Sequence, residues 1–387
     1  MAPGCGKSFG RLKAAQLVDE PLFRVYGGLG HGWQRSNNTL KIRRTFKYRL
    51  YPNRRQREAL RATLEVCRQL YNDALQERRE AWKTCRTSVT FPMQSARLPA
   101  CKQADAAMRK VYSQVLQDVL HRVDKTYKAF YRRGGGFPRF KGKGWFDSFT
   151  DPQLGFRVNG RQLSVSKMGN VKVKLHRPLA GEMKTLTLKH ESGNWYACFS
   201  CLVDSELLPE NDWAVGIDVG LECFAVTSAG EIVANPRWFG AAQKKHRVLQ
   251  RHLSRCRKGS GGWRRAGRLL AKLHRHVFNQ RHDFQHKLSR ELVNHYGFIA
   301  VEDLNVKGLA GGWLAKSVQD AAWSSFIAKL IYKAESADRQ LVKVNARGTS
   351  QPCPCGAPVP KKLWERKHHC LACGLATTAT TARPWRF

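Results

Sequence analysis

The sequence predicts a mixed fold: an α/β part, joined to a separate all-α part and a β part. Three observations predict it. Two apolar runs, AVGID and FIAVED, each end in a carboxylate and flank a long basic helical segment, as neighbouring strands of an α/β sheet would. Apolar residues recur at helical spacing through 60–74 and 116–130. Short alternating runs parted by Gly and Asn fill 155–203.

Residues 1–39 are Gly-rich and irregular. GCGKS resembles the tail of a phosphate-binding loop, but the first Gly of that pattern falls on Met1 and no apolar strand precedes it. The segment reads as a disordered extension or an upstream start. Residues 40–51 alternate apolar and basic, which predicts a strand with one wet, cationic face. Pro52 ends it and Asn53 caps a helix carrying Leu60, Leu64, Cys67, Tyr71 and Ala74 on one side. A second helix is predicted over roughly 104–132, with Leu116, Val119, Leu120, Val123, Tyr127 and Phe130 as its stripe. RRGGGFPRFKGKGWFDSF interleaves Gly, aromatic and basic residues, a mixture suited to stacking on bases and meeting phosphates. The alternating runs then predict a small antiparallel unit, read as a barrel that includes 40–51. SELLPEND (205–212) is a polar linker.

After the linker, Ala214–Ile217 is a buried strand ended by Asp218, and Cys223–Thr227 with Glu231–Val233 continue as a meander. Residues 241–296 are dense in Arg, Lys and His, with apolar stripes at Leu269, Leu270, Leu273 and Val277, then Leu288 and Leu292. His282 and His286 stand four apart without a visible third ligand, and Asp283 offsets local positive charge. Phe298–Val301 is a second strand, ended by Glu302 and Asp303.

The charge bounds the partner. With 68 Lys+Arg against 29 Asp+Glu, the 387-residue chain carries +39 along its whole length, which points to nucleic acid. No run of about 18 apolar residues predicts a membrane span. Two carboxylates at the same end of neighbouring parallel strands repel each other, and a divalent cation relieves that; Mg²⁺ (or Mn²⁺) suits such hard oxygen donors. Either acid could instead form a structural ion pair with one of many arginines. Of twelve cysteines, eight are scattered and read as small buried side chains. Cys353, Cys355, Cys370 and Cys373 cluster as a metal site, expected for Zn²⁺. Cys353-Pro-Cys355 is one residue short of the usual knuckle, so His368 or His369 is an alternative ligand.

FKYRLYPN, GIDVGLECFAV, NPRWF, RHDFQHKLS, AVEDLNVKGL, SVQDAAWSSF and TSQ–Cys together resemble the TnpB (OrfB) family of insertion-sequence proteins, from about residue 40 to 375. The resemblance implies an RNA-guided DNA endonuclease related to the small type V CRISPR effectors. It implies a bilobed protein with a RuvC-like nuclease domain of the RNase H fold, a zinc ribbon, a wedge β-barrel and a helical recognition lobe. By that likeness, 40–55 and 136–210 form the wedge, 56–135 the recognition lobe, 213–345 the nuclease, 346–375 the zinc-ribbon-like insert and 376–387 an aberrant tail. Asp218 matches the first catalytic acid and Glu302 the second. A transposon-derived guide RNA and a DNA target duplex are the implied partners, and a bacterial, cytoplasmic, nucleoid-associated site the implied location.

The family's third acid should stand at Thr380, and no Asp or Glu follows Glu365. Threonine is a poor metal ligand, so cutting should be impaired. Read one nucleotide late, GAC-CGC-GAC (Asp-Arg-Asp) gives Thr-Ala-Thr, which is Thr378-Ala379-Thr380; a frameshift between Gly374 and Thr378 accounts for the tail. Three functions follow: an endonuclease drawing its third acid from elsewhere, such as Asp303; a nuclease-dead RNA-guided DNA-binding protein; or a decayed product without a role.

Overall fold

The computed structural model describes residues 12–13, 35–36, 39–132, 134–152, 155–205, 207–345, 353, 355–359, 367–374 and 376–378. Most of the segment read as an extension lies outside these residues, as does Thr380. Two short strands, β1 (Leu12–Lys13) and β2 (Arg35–Ser36), precede the first long one. The chain divides into two compact units, Arg35–Asp204 and Ser205–Phe387 with Met1–Gln34.

The Arg35–Asp204 unit begins on β3 (Thr39–Tyr51). Ile42, Phe46, Tyr48 and Leu50 are buried while Lys41, Arg43, Lys47 and Arg49 are exposed, the alternation the sequence predicts. Asn53 then caps α1 (Arg54–Cys85): its Oδ1 accepts from the Gln56 N–H at 2.8 Å, and Gln56 Oε1 accepts from the Asn53 N–H at 3.0 Å. The stripe predicted for one helix over 104–132 is broken. Residue 104 ends α2 (Phe91–Ala104), Asp105 is extended and caps α3 (Ala106–Arg109), and α4 (Ser113–Tyr131) starts afresh. Asp105 draws its Oδ1 to the Ala107 N–H at 2.7 Å, a local bond that competes with helix continuation. The strands that follow are β4 (Ser148–Asp151), β5 (Phe156–Asn159), β6 (Gln162–Val165), β7 (Gly169–Lys174), β8 (Glu182–Glu191) and β9 (Asn194–Asp204). They form an antiparallel sheet in the order β4-β8-β9-β3-β7-β6-β5, so β3 sits between strands far along the chain. Ser192 and Gly193, with φ of 49° and 82°, make the two-residue turn joining β8 to β9. One core holds both layers: Tyr48, Phe199, Leu186 and Leu188 from the sheet with Leu60, Leu116 and Leu120 from the helices.

The C-terminal unit is built on β10 (Trp213–Val219), β11 (Cys223–Thr227), β12 (Ile232–Ala234), β13 (Phe298–Asp303) and β14 (Gln340–Asn345). The sheet order is β12-β11-β10-β13-β14, with β1 beside the start of β10. The β10–β11 and β11–β12 pairs are antiparallel, whereas β10–β13 and β13–β14 are parallel. Gly297 opens β13 where an added Cβ would strike the Asn211 backbone, so the strand can start only on glycine. Helices α5 (Trp238–Arg255) and α6 (Gly261–His295) form a hairpin between β12 and β13. α7 (Val306–Leu309), α8 (Ala315–Ala321) and α9 (Trp323–Ser336) connect β13 to β14. A short hairpin, β15 (Lys367–His369) with β16 (Ala376–Thr378), follows. The expected leucine stripe of α6 is only partly buried: Val277, Leu288 and Leu292 are, but Leu269 is 47% exposed. The scattered cysteines divide too. Cys67 and Cys201 are buried, while Cys85 and Cys101 are exposed, because they sit at the open ends of α1 and α2.

Candidate active site and metal centre

Parallel pairing fixes the position of the two acids. Ala214–Ile217 align with Phe298–Val301 residue for residue, and Asp218 and Glu302 each follow by one position. Residues in register on neighbouring strands project to the same face, and the strands lie about 4.8 Å apart. The two carboxylates are therefore neighbours at the C-terminal end of the parallel pair. Both are buried, at 4% and 7% exposure, in the middle of the sheet. Buried carboxylates side by side need positive charge or metal to stay ionised. The donor set, hard oxygens only, fits a divalent hard cation.

Asp303 does not join them. It follows Glu302 on the same strand, so it projects to the opposite face, where it is exposed and meets Lys343 Nζ at 3.5 Å. The expectation that Asp303 supplies a third acid is corrected by this alternation.

A carboxylate missed by the sequence reading organises the helices near this sheet. Asp320, on α8, accepts from the Phe239 N–H at 2.9 and 3.0 Å, from the Gly240 N–H at 3.2 Å and from Arg281 Nη2 at 2.9 Å. The N-terminus of α5 has no side-chain cap of its own, since Arg237 there is left-handed at φ 48°. Asp320 supplies the cap from a distant element and ties it to α6. Asp320→Ala should lower stability by about 2–3 kcal/mol, read by urea unfolding, because two helix N–H groups and a guanidinium lose their acceptor together.

Two lysines of α9 are also buried. Lys329 Nζ donates to Gln285 Oε1 at 3.1 Å and Ser325 Oγ at 2.7 Å; Lys333 Nζ donates to the His286 carbonyl at 2.6 Å and Ser289 Oγ at 2.8 Å. Neither has a carboxylate partner among the described residues. Burial, with Arg290 and Lys329 adding repulsion, pushes the Lys333 ammonium down to about 8. Burial first, then His282 and the two lysines, lowers His286 to about 4. A lysine near 8 in the fold and near 10.4 unfolded binds more protons when unfolded, so its penalty is full below pH 8 and fades as pH rises towards 10.4. Lys333→Met should therefore raise the melting temperature at pH 7 by about 2–4 °C, and the gain over wild type should shrink towards pH 10. His282 and His286 stack edge to face at 4.3 Å, and Asp283 pairs with Lys287 at 2.8 Å as expected; no three-ligand group forms there among the described residues.

The cysteine cluster converges despite its short first knuckle. The Sγ atoms of Cys353, Cys355, Cys370 and Cys373 all lie within 4.8 Å of one another. Cys353–Cys373 and Cys355–Cys370 are each 3.6 Å apart. Four thiolates about 2.3 Å from one tetrahedral ion would stand about 3.8 Å apart. Turns help both knuckles: the Gly356 N–H donates to the Cys353 carbonyl at 2.8 Å, and the Gly374 N–H to that of Cys370 at 2.9 Å. The Cys373 N–H pulls the Cys370 thiol down to about 7, while burial pushes Cys353 up to about 12. The cluster can hold a metal ion without His369, which is exposed.

Comparison with known proteins bears on both sites. A family model described as a probable transposase matches residues 199–311, which hold both acids. A Cas12f1-like TNB domain matches 323–379, which holds the cysteine cluster. A model described as a helix-turn-helix domain matches 42–86, although here those residues form β3 and the single helix α1. A candidate RNA-guided DNA endonuclease of Streptomyces pristinaespiralis is 31% identical over 313 residues, covering 79% of this chain and 78% of its own. InsQ of Escherichia coli (strain K12), also named as a candidate RNA-guided DNA endonuclease, is 29% identical over 356 residues, covering 86% and 88%. Among solved structures, a mini-RNA-guided endonuclease, CRISPR-Cas phi3, aligns at TM-score 0.42 and 10% identity over 89% of this chain and 91% of that one. The sequence motifs, the matched family models and the relative from Streptomyces agree: the chain belongs to the TnpB (OrfB) family.

Proposed function

We propose that this chain is an RNA-guided, Mg²⁺-dependent DNA endonuclease whose acidic site is incomplete, so that target binding outlasts cutting. The observation that carries the reading is the parallel register of β10 and β13, which brings Asp218 and Glu302 together. A sheet with three antiparallel strands followed by two parallel ones supports an RNase H-like, RuvC-type domain. The names of the two relatives support the activity, and the charge of +39 supports a guide RNA and a DNA duplex as partners. Among the described residues no helix is long and apolar enough to cross a membrane. The pairing of β3 with β7 and β9 supports grouping 40–55 with 136–210 as the wedge, leaving 56–135 as the recognition lobe. Four converging thiols favour Zn²⁺ in the ribbon of 346–375.

Asp218 and Glu302 would hold the divalent cations, which supply an activated water and stabilise the leaving oxygen of the cut strand. Their burial keeps bulk water from the two carboxylates. By the family resemblance position 380 is the place of the third acid, and threonine there would weaken the ligand set.

The test uses protein purified with its bound RNA, Mg²⁺ and a duplex matched to that RNA. Guide-dependent binding with slow cleavage, abolished by Asp218→Ala, is the expected result. Binding with no cleavage at all favours the nuclease-dead reading, which threonine at position 380 supports. Protein that carries no RNA and ignores the matched duplex overturns both.

A further inference from the structure

The helical part of the Arg35–Asp204 unit carries a groove that the acidic site does not use. The end of α1, the end of α4 and residues 137–140 enclose about 1080 Å³. Trp82, Tyr131, Phe137 and Phe140 line it and are 54%, 72%, 47% and 45% exposed. Four large aromatics around one groove is unusual for a surface that meets only water.

These rings are held in place. Phe137 packs edge-on against Phe130 at 5.3 Å and Tyr127 at 6.1 Å. The Arg79 guanidinium lies over Phe137 at 5.6 Å and over Phe140 at 5.0 Å. Arg86 lies over Trp82 at 5.9 Å. The charges around the rings are only partly answered. Asp124 pairs with Arg78 at 3.3 Å and Lys128 at 2.9 Å, whereas Arg79 and Lys83 make no ion pair among the described residues. The groove thus combines partly exposed rings with cations that no carboxylate pairs among the described residues.

We infer that this groove stacks unpaired nucleobases of a single-stranded nucleic acid, with Arg79 and Lys83 meeting its phosphates. A duplex hides its base faces, so the rings would gain nothing from it. An acidic peptide would answer the cations but leave the aromatic faces in water. A single strand presents flat rings and a phosphate beside each of them, which matches both features. The inference rests on the nucleic-acid reading above and assigns a subsite within it. The guide RNA and a displaced DNA strand offer the same chemistry, and the sugar distinguishes them.

The experiment measures binding of labelled oligo-U RNA, oligo-dT DNA and a DNA duplex to the full chain after nuclease treatment. High salt, about 0.5 M, suppresses contacts made through phosphate alone. Replacing both rings (Trp82→Ala with Tyr131→Ala) should weaken single-strand binding about tenfold and leave duplex binding unchanged. Trp82→Phe with Tyr131→Phe should stay within about twofold of wild type. A larger loss on RNA assigns the guide, and a larger loss on DNA assigns the displaced strand. The inference is overturned if wild type binds neither oligomer, if the alanine pair binds single strands as wild type does, or if it loses duplex to the same degree. In those cases guide-dependent target binding by wild type would still uphold the proposed function. Its absence would remove that function even if single strands stack.

Discussion

Asp218→Asn should lower guide-dependent DNA cleavage by about 10²–10³-fold while leaving guided binding within about twofold, measured on one matched duplex by cleavage and by gel shift. The substitution keeps the size and one oxygen of the side chain but removes its charge. Asp218 sits on a central strand with apolar neighbours at Ile217 and Val219, so its charge interacts strongly with Glu302 beside it. That is also why the variant should be more stable than wild type without Mg²⁺, by about 1–2 kcal/mol in unfolding free energy, since it removes one of two like charges from a buried site. Added Mg²⁺ should raise the melting temperature of wild type and not of the variant. A protein whose cleavage is untouched by Asp218→Asn would show that its scission lies elsewhere. Glu302→Gln should behave in the same way, because the register gives the two acids equivalent positions.

The sheet was legible because its signals were local. AVGID and FIAVED are apolar along their whole length, which is how strands buried on both faces read. The long helical segment between them suggested an α/β sheet and left parallel pairing open, and the register of β10 with β13 supplies it. Strand β14 escaped notice because QLVKVN is short and half polar at the edge of the sheet. The single helix over 104–132 was a misreading of another kind: the stripe from Leu116 onward is real, but nothing in the apolar spacing reports that Asp105 prefers a cap to a turn of helix. Asp320 was invisible for a related reason. An acid in a helix next to Gln and Ala looks solvated, and its three partners, Phe239, Gly240 and Arg281, lie 39 or more positions away. Lys329 and Lys333 were hidden by the ordinary expectation that lysines face water. Their spacing with Phe326 and Leu330 on α9 put them on a buried stripe, a signal available only once the helix is known to be covered on that side. The aromatic groove was half legible: the loop around Phe137 and Phe140 read as a stacking surface, but Trp82 and Tyr131 joined it only through the fold.

Cys370→Ser should remove the metal of the C-terminal cluster, taking its content from about one ion per chain to below about a tenth, measured by elemental analysis of the purified protein. The spacing of the first knuckle argued against four thiolate ligands, and the geometry argues for them. A Cys-x-Cys turn reaches the second pair because the backbone bends at Gly356, where φ is 88°. Two sulfurs, on Cys353 and Cys370, are buried and two are exposed, so the ion would sit under a thin protein cover. Losing a buried ligand should matter more than losing an exposed one, since neither water nor a neighbouring side chain can replace it easily. Cys355→Ser should then keep part of its metal, and His369→Ala should keep all of it. Binding should also weaken steeply below pH 7, where protons compete for the thiolates. Structural zinc in small peptides contributes about 10–16 kcal/mol to folding, so metal-free Cys370→Ser should lose the β15–β16 hairpin to rapid amide exchange while β10 and β13 stay protected. Full metal content in Cys370→Ser would overturn the four-thiolate site and return His368 or His369 to the ligand set.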